Sequence, residues 1–128
     1  ESYGMNHIYR KSSIEHMYSL LKDNKILIIA SDQDAKSKGI FVDFFGHPTS
    51  TPKGTALFHI KIGCSLIFSV AKRENDGTIV ITFLKVEVGS NPTIESITQS
   101  YTHMLEEKVK ECPDHYFWFH RKWKTLKK

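Results

Sequence analysis

Cysteine is scarce in this 128-residue chain: Cys64 and Cys112 are its two thiols, and they stand far apart without metal-ligand spacing. A disulfide framework or a zinc site therefore finds no support, and a reducing compartment is the simpler setting. Long apolar runs are missing too. The stretches ILIIA at 26–30 and SLIFSVA at 65–71 are strand-sized, too short to cross a bilayer as a helix. There is no signal peptide, and the chain opens at Glu1 in mid-pattern, which leads to the expectation of a segment whose front has been removed. Several catalytic signatures are likewise absent: G-x-S-x-G, the phosphate-binding P-loop, the dinucleotide glycine pattern and H-E-x-x-H. None of the seven histidines stands five positions before Asp or Glu; His7, His16, His47, His59, His103 and His115 read as surface or core residues.

What is present suits one globular unit. An apolar fraction of 40% with 25% charged residues argues for a folded core, and the length leaves no comfortable room for two domains. A formal net charge of +4 favours anionic partners: phosphate groups, nucleic acid or a membrane surface.

Periodicity predicts a helix over 12–23, with Ile14, Met17, Leu20 and Leu21 on one side and Ser12 with Glu15 as a capping box. Residues 25–31, KILIIAS, read as a short buried strand, and the stretch 47–54, HPTSTPKG, is rich in turn residues. A short helix packed by Leu57, Ile60 and Cys64 follows, then two antiparallel strands, 65–73 and 78–88, joined through a tight turn at Asp76-Gly77. Pro92 marks the first turn of a longer helix that carries Glu95 at its positive end. Its apolar stripe is Ile94, Ile97, Tyr101, Met104, Leu105 and Val109, and it stops before Pro113. The final HYFWFHRKWKTLKK alternates rings with cations and reads as a partly ordered tail.

Three stretches invite function. Asp32 and Asp34 can bind a metal, orient a hydroxyl or cap a turn, the last being the commonest use of Asp in such a position. The run IFVDFF between Gly39 and Gly46 can be strand, core plug or a lining for a lipid chain, with core packing the more frequent fate of Phe41, Val42, Phe44 and Phe45. The rings and cations from Tyr116 to Lys124 can stack on bases, sit at a lipid headgroup boundary or pack on the core with solvated charges.

Three blocks in fixed order carry more: DQDAKSKGIFVDFFGHPTSTPKGTA at 32–56, VAKRENDG at 70–77 and FWFHRKWKT at 117–125. Together they resemble the bacterial lipid A biosynthesis acyltransferases of the late lauroyl and myristoyl type, over nearly the whole chain. The resemblance implies an α/β fold, the C-terminal portion of a glycerolipid-acyltransferase-like domain with a mixed sheet flanked by helices, occupying 1–128 as a single segment. It also implies transfer of a fatty acyl group from acyl carrier protein, or from acyl-CoA, to a hydroxyl of a lipid A precursor or related phosphorylated glycolipid. Such transfer takes place at the cytoplasmic face of the bacterial inner membrane, without cofactor or metal. Acyl carrier protein, the glycolipid and the membrane surface are then the partners, and nucleic acid is not.

By this resemblance Asp32, Gln33 and Asp34 match an active-site rim segment. Gly39, Phe41, Val42, Phe44, Phe45 and Gly46 match a G-x-F-V-x-F-F-G segment, followed by Thr51, and Arg73 matches an arginine after the next strand. His120, Arg121, Trp123 and Lys124 match a terminal H-R-R-W-K motif, in which Lys122 replaces the second arginine. A charged loop tied to aromatic rings suits an enzyme that sets polar groups beside a dry acyl channel. The family's His-x-x-x-x-Asp/Glu pair is expected upstream, so no catalytic residue is assigned within this chain, and the chain alone is expected to be inactive. The alternatives are a noncatalytic module binding anionic lipid and a binder of single-stranded nucleic acid. Without the strands that would flank 25–31, an open sheet edge favours self-association.

Overall fold

The computed structural model describes residues 4–9 and 12–127. Its order is α1 (Ile14–Lys22), β1 (Ile40–Phe44), β2 (His47–Thr51), α2 (Gly54–Ile62), β3 (Ile67–Arg73), β4 (Ile79–Lys85) and α3 (Ile94–Glu111), with short 3-10 turns at Lys36–Lys38 and Pro113–His115. The class is α/β as expected. Its strands form two separate antiparallel pairs, β1 with β2 and β3 with β4.

Each helix end has a local cause. Ser13, not Ser12, caps α1: its hydroxyl accepts the His16 N–H at 3.2 Å, so the start lies one residue beyond the expected capping box. α2 ends at Gly63, whose φ of 74° lets its N–H reach back to the His59 carbonyl at 2.7 Å. α3 is capped reciprocally by Thr93 and Ser96, which places Pro92 just outside the helix rather than in its first turn.

The stripe read from the sequence of α3 is the one that packs. Ile97 and Tyr101 join Ala56, Leu66 and Val86 in the core, with Ile94, Met104, Phe68 and Val88 against its edge, and Val109 is buried further along the helix. Thr98 and Thr102 are buried on the same helix; the Thr98 hydroxyl donates to the Ile94 carbonyl at 2.6 Å, which keeps its polar atom satisfied. α2 buries Ala56 and Phe58, whereas Ile60, expected to pack, is 45% exposed.

Two further expectations are overturned. Residues 25–31 form no strand: they have no ladder partner, and Ile26 and Ile28 are exposed. An apolar run announces burial but not the neighbour that would make it a strand. Conversely, the turn-rich 47–51 stretch is β2. Pro48 is tolerated there because it stands opposite Asp43, the non-hydrogen-bonded position next to the closing pair Phe44 and His47, so its missing N–H falls on the open edge.

The β1–β2 turn has Phe45 at φ 56° and Gly46 at φ 76°, both left-handed, as a two-residue hairpin loop of type I′ requires. A bulky residue in that region costs about 1–2 kcal/mol, and α3 holds it there. Glu106 accepts the Phe45 N–H at 2.9 Å, while Gln99 accepts from the Asp43 N–H at 2.8 Å and donates to its carbonyl at 3.0 Å. Lys110 and the Phe45 amide hold the Glu106 carboxyl below its ordinary range. The β3–β4 hairpin has the tight turn expected at Asp76-Gly77. Glu74 N–H bonds to the Thr78 carbonyl, and Gly77 alone, at φ 88°, is left-handed, giving a three-residue loop.

Gly39 is fixed by proximity. A Cβ there would stand 2.2 Å from Ser50 Oγ, 2.7 Å from Ala35 Cβ and 2.9 Å from the Thr51 carbonyl. Gly39→Ala should therefore destabilise the chain by about 1–3 kcal/mol. A urea midpoint unchanged from that of the native chain would contradict this close approach.

Candidate functional site

The first and third sequence blocks meet in space. The loop at 32–38 enters β1, and the segment after α3 returns across it without regular structure beyond one 3-10 turn. Three links join them. The Asp34 N–H donates to His120 Nε2 at 2.9 Å, Lys122 Nζ donates to the Asp32 carbonyl at 2.5 Å, and Thr125 Oγ1 donates to Asp34 Oδ2 at 2.9 Å. The remaining Asp34 oxygen accepts the Lys36 N–H at 3.3 Å. Lys36 itself has a left-handed φ of 55°, and its carbonyl accepts the Ser50 hydroxyl at 2.6 Å.

Between loop and tail lies an open cleft of about 350 Å³, lined by Asp34, Lys36, Phe117, Phe119, His120, Arg121 and Lys124. Three cations face one carboxylate around it, so its field favours an anion. Its apolar wall comes from Phe117 and Phe119, which are 65% and 90% exposed.

A ring cluster joins β1 and its turn to the terminal segment. Phe44 is fully buried, stacked on Trp123 with centroids 5.6 Å apart and tilted against Tyr116 at 6.0 Å. Phe45 lies 6.3 Å from Trp118, which meets Tyr116 edge-on at 4.9 Å. Burial, with the Asp32 charge in addition, pushes the Tyr116 phenol up to about 12.

Lys122 runs through this cluster with 1% of its surface exposed, its ammonium 5.6 Å from the Phe44 ring centroid and its own carbonyl accepting the Thr49 hydroxyl at 3.0 Å. Burial pulls its pKa down to about 8, against the opposing pull of Asp32 and Asp34. Lys122 is thus a structural tie between the terminal segment and the loop rather than a cation open to a ligand.

The sequence-derived residues therefore divide. Asp34, His120, Arg121 and Lys124 line the cleft, and Asp32 contributes through its carbonyl, while Gln33 is exposed on the same loop. Val42 and Phe44 are core residues, Phe41 is half-buried, and Gly39, Phe45 and Gly46 shape the hairpin. Thr51 is 1% exposed, and its hydroxyl has no hydrogen-bond partner among the described residues. Arg73 lies on the other sheet, opposite Ile79 and outside the cleft lining. Lys36, Phe117 and Phe119 of the lining and Thr125, which holds Asp34, all fall inside the quoted blocks, yet their meeting is visible only once the chain folds. Elsewhere, donor atoms of His103, Glu106 and Glu107 lie within 4.8 Å of one another, but Glu106 is engaged by Phe45 and Lys110.

The Lys122 burial has a titration signature. Its folded pKa of about 8 lies below the ordinary 10.5, so between these values the unfolded chain binds more protons and stability rises with pH. Below about pH 8 the desolvation penalty is present in full. The stability difference between the native chain and Lys122→Met should therefore move in favour of the native chain from pH 7.5 to 9.5. Parallel denaturation curves with a pH-independent difference would refute the buried ammonium.

Comparison with known proteins places these blocks in a family. The family model of the bacterial lipid A biosynthesis acyltransferases matches residues 1–125. The chain is 26% identical over 118 residues to the lipid A biosynthesis palmitoleoyltransferase of Escherichia coli K12, covering 90% of this chain and 39% of that protein. It is 25% identical over 103 residues to the phosphatidylinositol mannoside acyltransferase of Mycolicibacterium smegmatis, covering 80% of this chain and 34% of that protein. The chain thus spans well under half the length of these curated relatives. With loop, hairpin, α3 and basic terminus all inside the matched residues, the chain belongs to the bacterial lipid A biosynthesis acyltransferase family.

Proposed function

We propose that the protein to which this chain belongs transfers a fatty acyl group from a thioester of acyl carrier protein, or from acyl-CoA, to a hydroxyl of a phosphorylated glycolipid of the lipid A type. Family membership supports acyl transfer to such a lipid. The observation that carries the role of this chain is the cleft in which Lys36, Arg121 and Lys124 surround a space walled by Phe117 and Phe119. Guanidinium and ammonium groups meet phosphate oxygens with charge-assisted hydrogen bonds, and rings beside them suit the boundary where a headgroup joins its acyl chains. This chain then holds the acceptor's anionic group.

The reaction assigned to the whole protein breaks a C–S bond and forms a C–O bond. The acceptor hydroxyl attacks the thioester carbonyl as a base removes its proton, and the thiol departs carrying a proton. The base is assigned to a His-x-x-x-x-Asp/Glu pair, a spacing that none of the seven histidines in these 128 residues has. No metal and no covalent enzyme intermediate is needed for this step. Within this chain, Asp34 is held by Thr125 and Lys36, so its part is to fix the cleft's rim rather than to move a proton. The proposed setting is a membrane surface approached from the cytoplasm; among the described residues no helix is long and apolar enough to cross a membrane.

The test is acyl transfer by the product of the whole reading frame, with the phosphorylated acceptor and its dephosphorylated counterpart compared. Arg121→Gln should lower kcat/KM about tenfold or more for the phosphorylated acceptor, the loss expected for one charge-assisted contact, and change the dephosphorylated one little. Equal losses on both acceptors would remove the phosphate contact from Arg121. Absence of acyl transfer by the native product would overturn the enzymatic reading itself.

A further inference from the structure

The bond between Asp34 and His120 fixes the protonation of the ring. A backbone N–H can only donate, so His120 Nε2, 2.9 Å away, accepts and carries no proton. The ring is therefore neutral, with its proton on Nδ1. An imidazolium bears hydrogen on both nitrogens and cannot keep this bond. The charged groups around the cleft with His120 are Asp34, Lys36, Arg121 and Lys124, and Lys122, bound to the Asp32 carbonyl, stands two residues along the chain. Around the cleft three cations outnumber the Asp34 carboxylate. An anion seated among them reverses that balance.

We infer that anion binding in this cleft takes up a proton: as the anion settles, His120 Nε2 gains a proton from solvent, the Asp34 N–H is released, and both become donors facing the ligand. The inference rests on the reading of the cleft as an anion site and adds its regulation. Proton and anion are linked, so each favours the other's binding by the same factor. Affinity is greater at low pH and falls as pH rises and the ring returns to its acceptor state. The release of Asp34 also loosens one of the three links between loop and tail, leaving those from Lys122 and Thr125. Loop and tail thus stay joined while the rim adjusts.

The experiment uses sulfate, which keeps one charge state from pH 6 to 8, titrated into the native chain at constant ionic strength by calorimetry in two buffers of different ionisation heat. Binding severalfold tighter at pH 6 than at pH 8, with net proton uptake, is expected. His120→Gln, whose side-chain oxygen can still accept from Asp34, should bind sulfate with no such pH dependence. Ring-nitrogen NMR of the native chain gives a reading free of any variant: Nε2 should change from a lone-pair to a protonated nitrogen when sulfate is added at pH 7. Sulfate affinity that is flat with pH, without proton uptake, overturns the linkage and leaves the anion site standing. pH dependence that persists unchanged in a folded His120→Gln overturns it as well, because the proton then resides elsewhere. No sulfate binding at any pH overturns the anion site and the linkage with it.

Discussion

The arrangement of the cleft depends on one buried cation. Taking an ammonium out of water costs several kcal/mol unless polar and aromatic partners replace its hydration. Lys122 finds them in the Asp32 carbonyl, the Phe44 ring and the nearby Asp32 and Asp34 charges. These partners come from the loop at 32–34 and from β1, and the Lys122 carbonyl is bound in turn by Thr49 of β2. The alignment of loop, hairpin and terminal segment is therefore set where an ion can least tolerate misplacement. His120, Arg121 and Lys124 inherit their positions around the cleft from this tie, because they flank Lys122 on a segment with no helix or strand of its own.

A second constraint acts from the other side of the hairpin. β1 has an open edge that β2 does not cover, and α3 closes part of it with side chains instead of a third strand. The Gln99 amide presents the donor and acceptor that a neighbouring backbone would present, and Glu106 holds the Phe45 amide. This accounts for the unusual backbone at Phe45: the turn is fastened from outside, so a bulky residue tolerates a glycine-like φ. The result is a ring placed against Phe44 and Trp118, which joins the turn to the aromatic cluster. The polar anchors of α3 and the aromatic contacts of the tail thus hold the same two-residue turn.

Legibility in the sequence followed the range of the interaction. α3, β3 and β4 were readable because their signals are local: a stripe at helical spacing ending before Pro113, and β-branched runs flanking Asp76-Gly77. The error at 25–31 and the missed strand at 47–51 share a cause, since strand identity lies in a partner that composition does not name. The α1 cap shifted by one residue because adjacent Ser12 and Ser13 offer the same chemistry. The sequence blocks contain the cleft residues Asp34, His120, Arg121 and Lys124, but the contact between residues 86 positions apart is invisible to any window. Lys122 was the hardest to read. A lysine among cations looks solvated, and only the fold shows its stem surrounded by rings and its ammonium beneath a carbonyl.

The β3–β4 hairpin is built on the opposite logic from the β1–β2 hairpin. Its register sets Ile67, Phe83, Ile81 and Ile79 on one face with Ser69, Ala71 and Arg73, and all four large apolar side chains are more than half exposed. The other face turns Phe68 towards the core of Ala56, Leu66, Val86, Ile97 and Tyr101. Water on an apolar face costs about 25 cal/mol for each Å² left uncovered, so the hairpin's stability comes from one face alone. The two hairpins therefore differ in what fixes them: β1–β2 by polar and aromatic contacts from α3 and the tail, β3–β4 by a single hydrophobic face. A rim that must hold charged side chains in register needs directional contacts, and these are concentrated around β1–β2. Arg73, carried by the hairpin without them, is correspondingly placed outside the cleft.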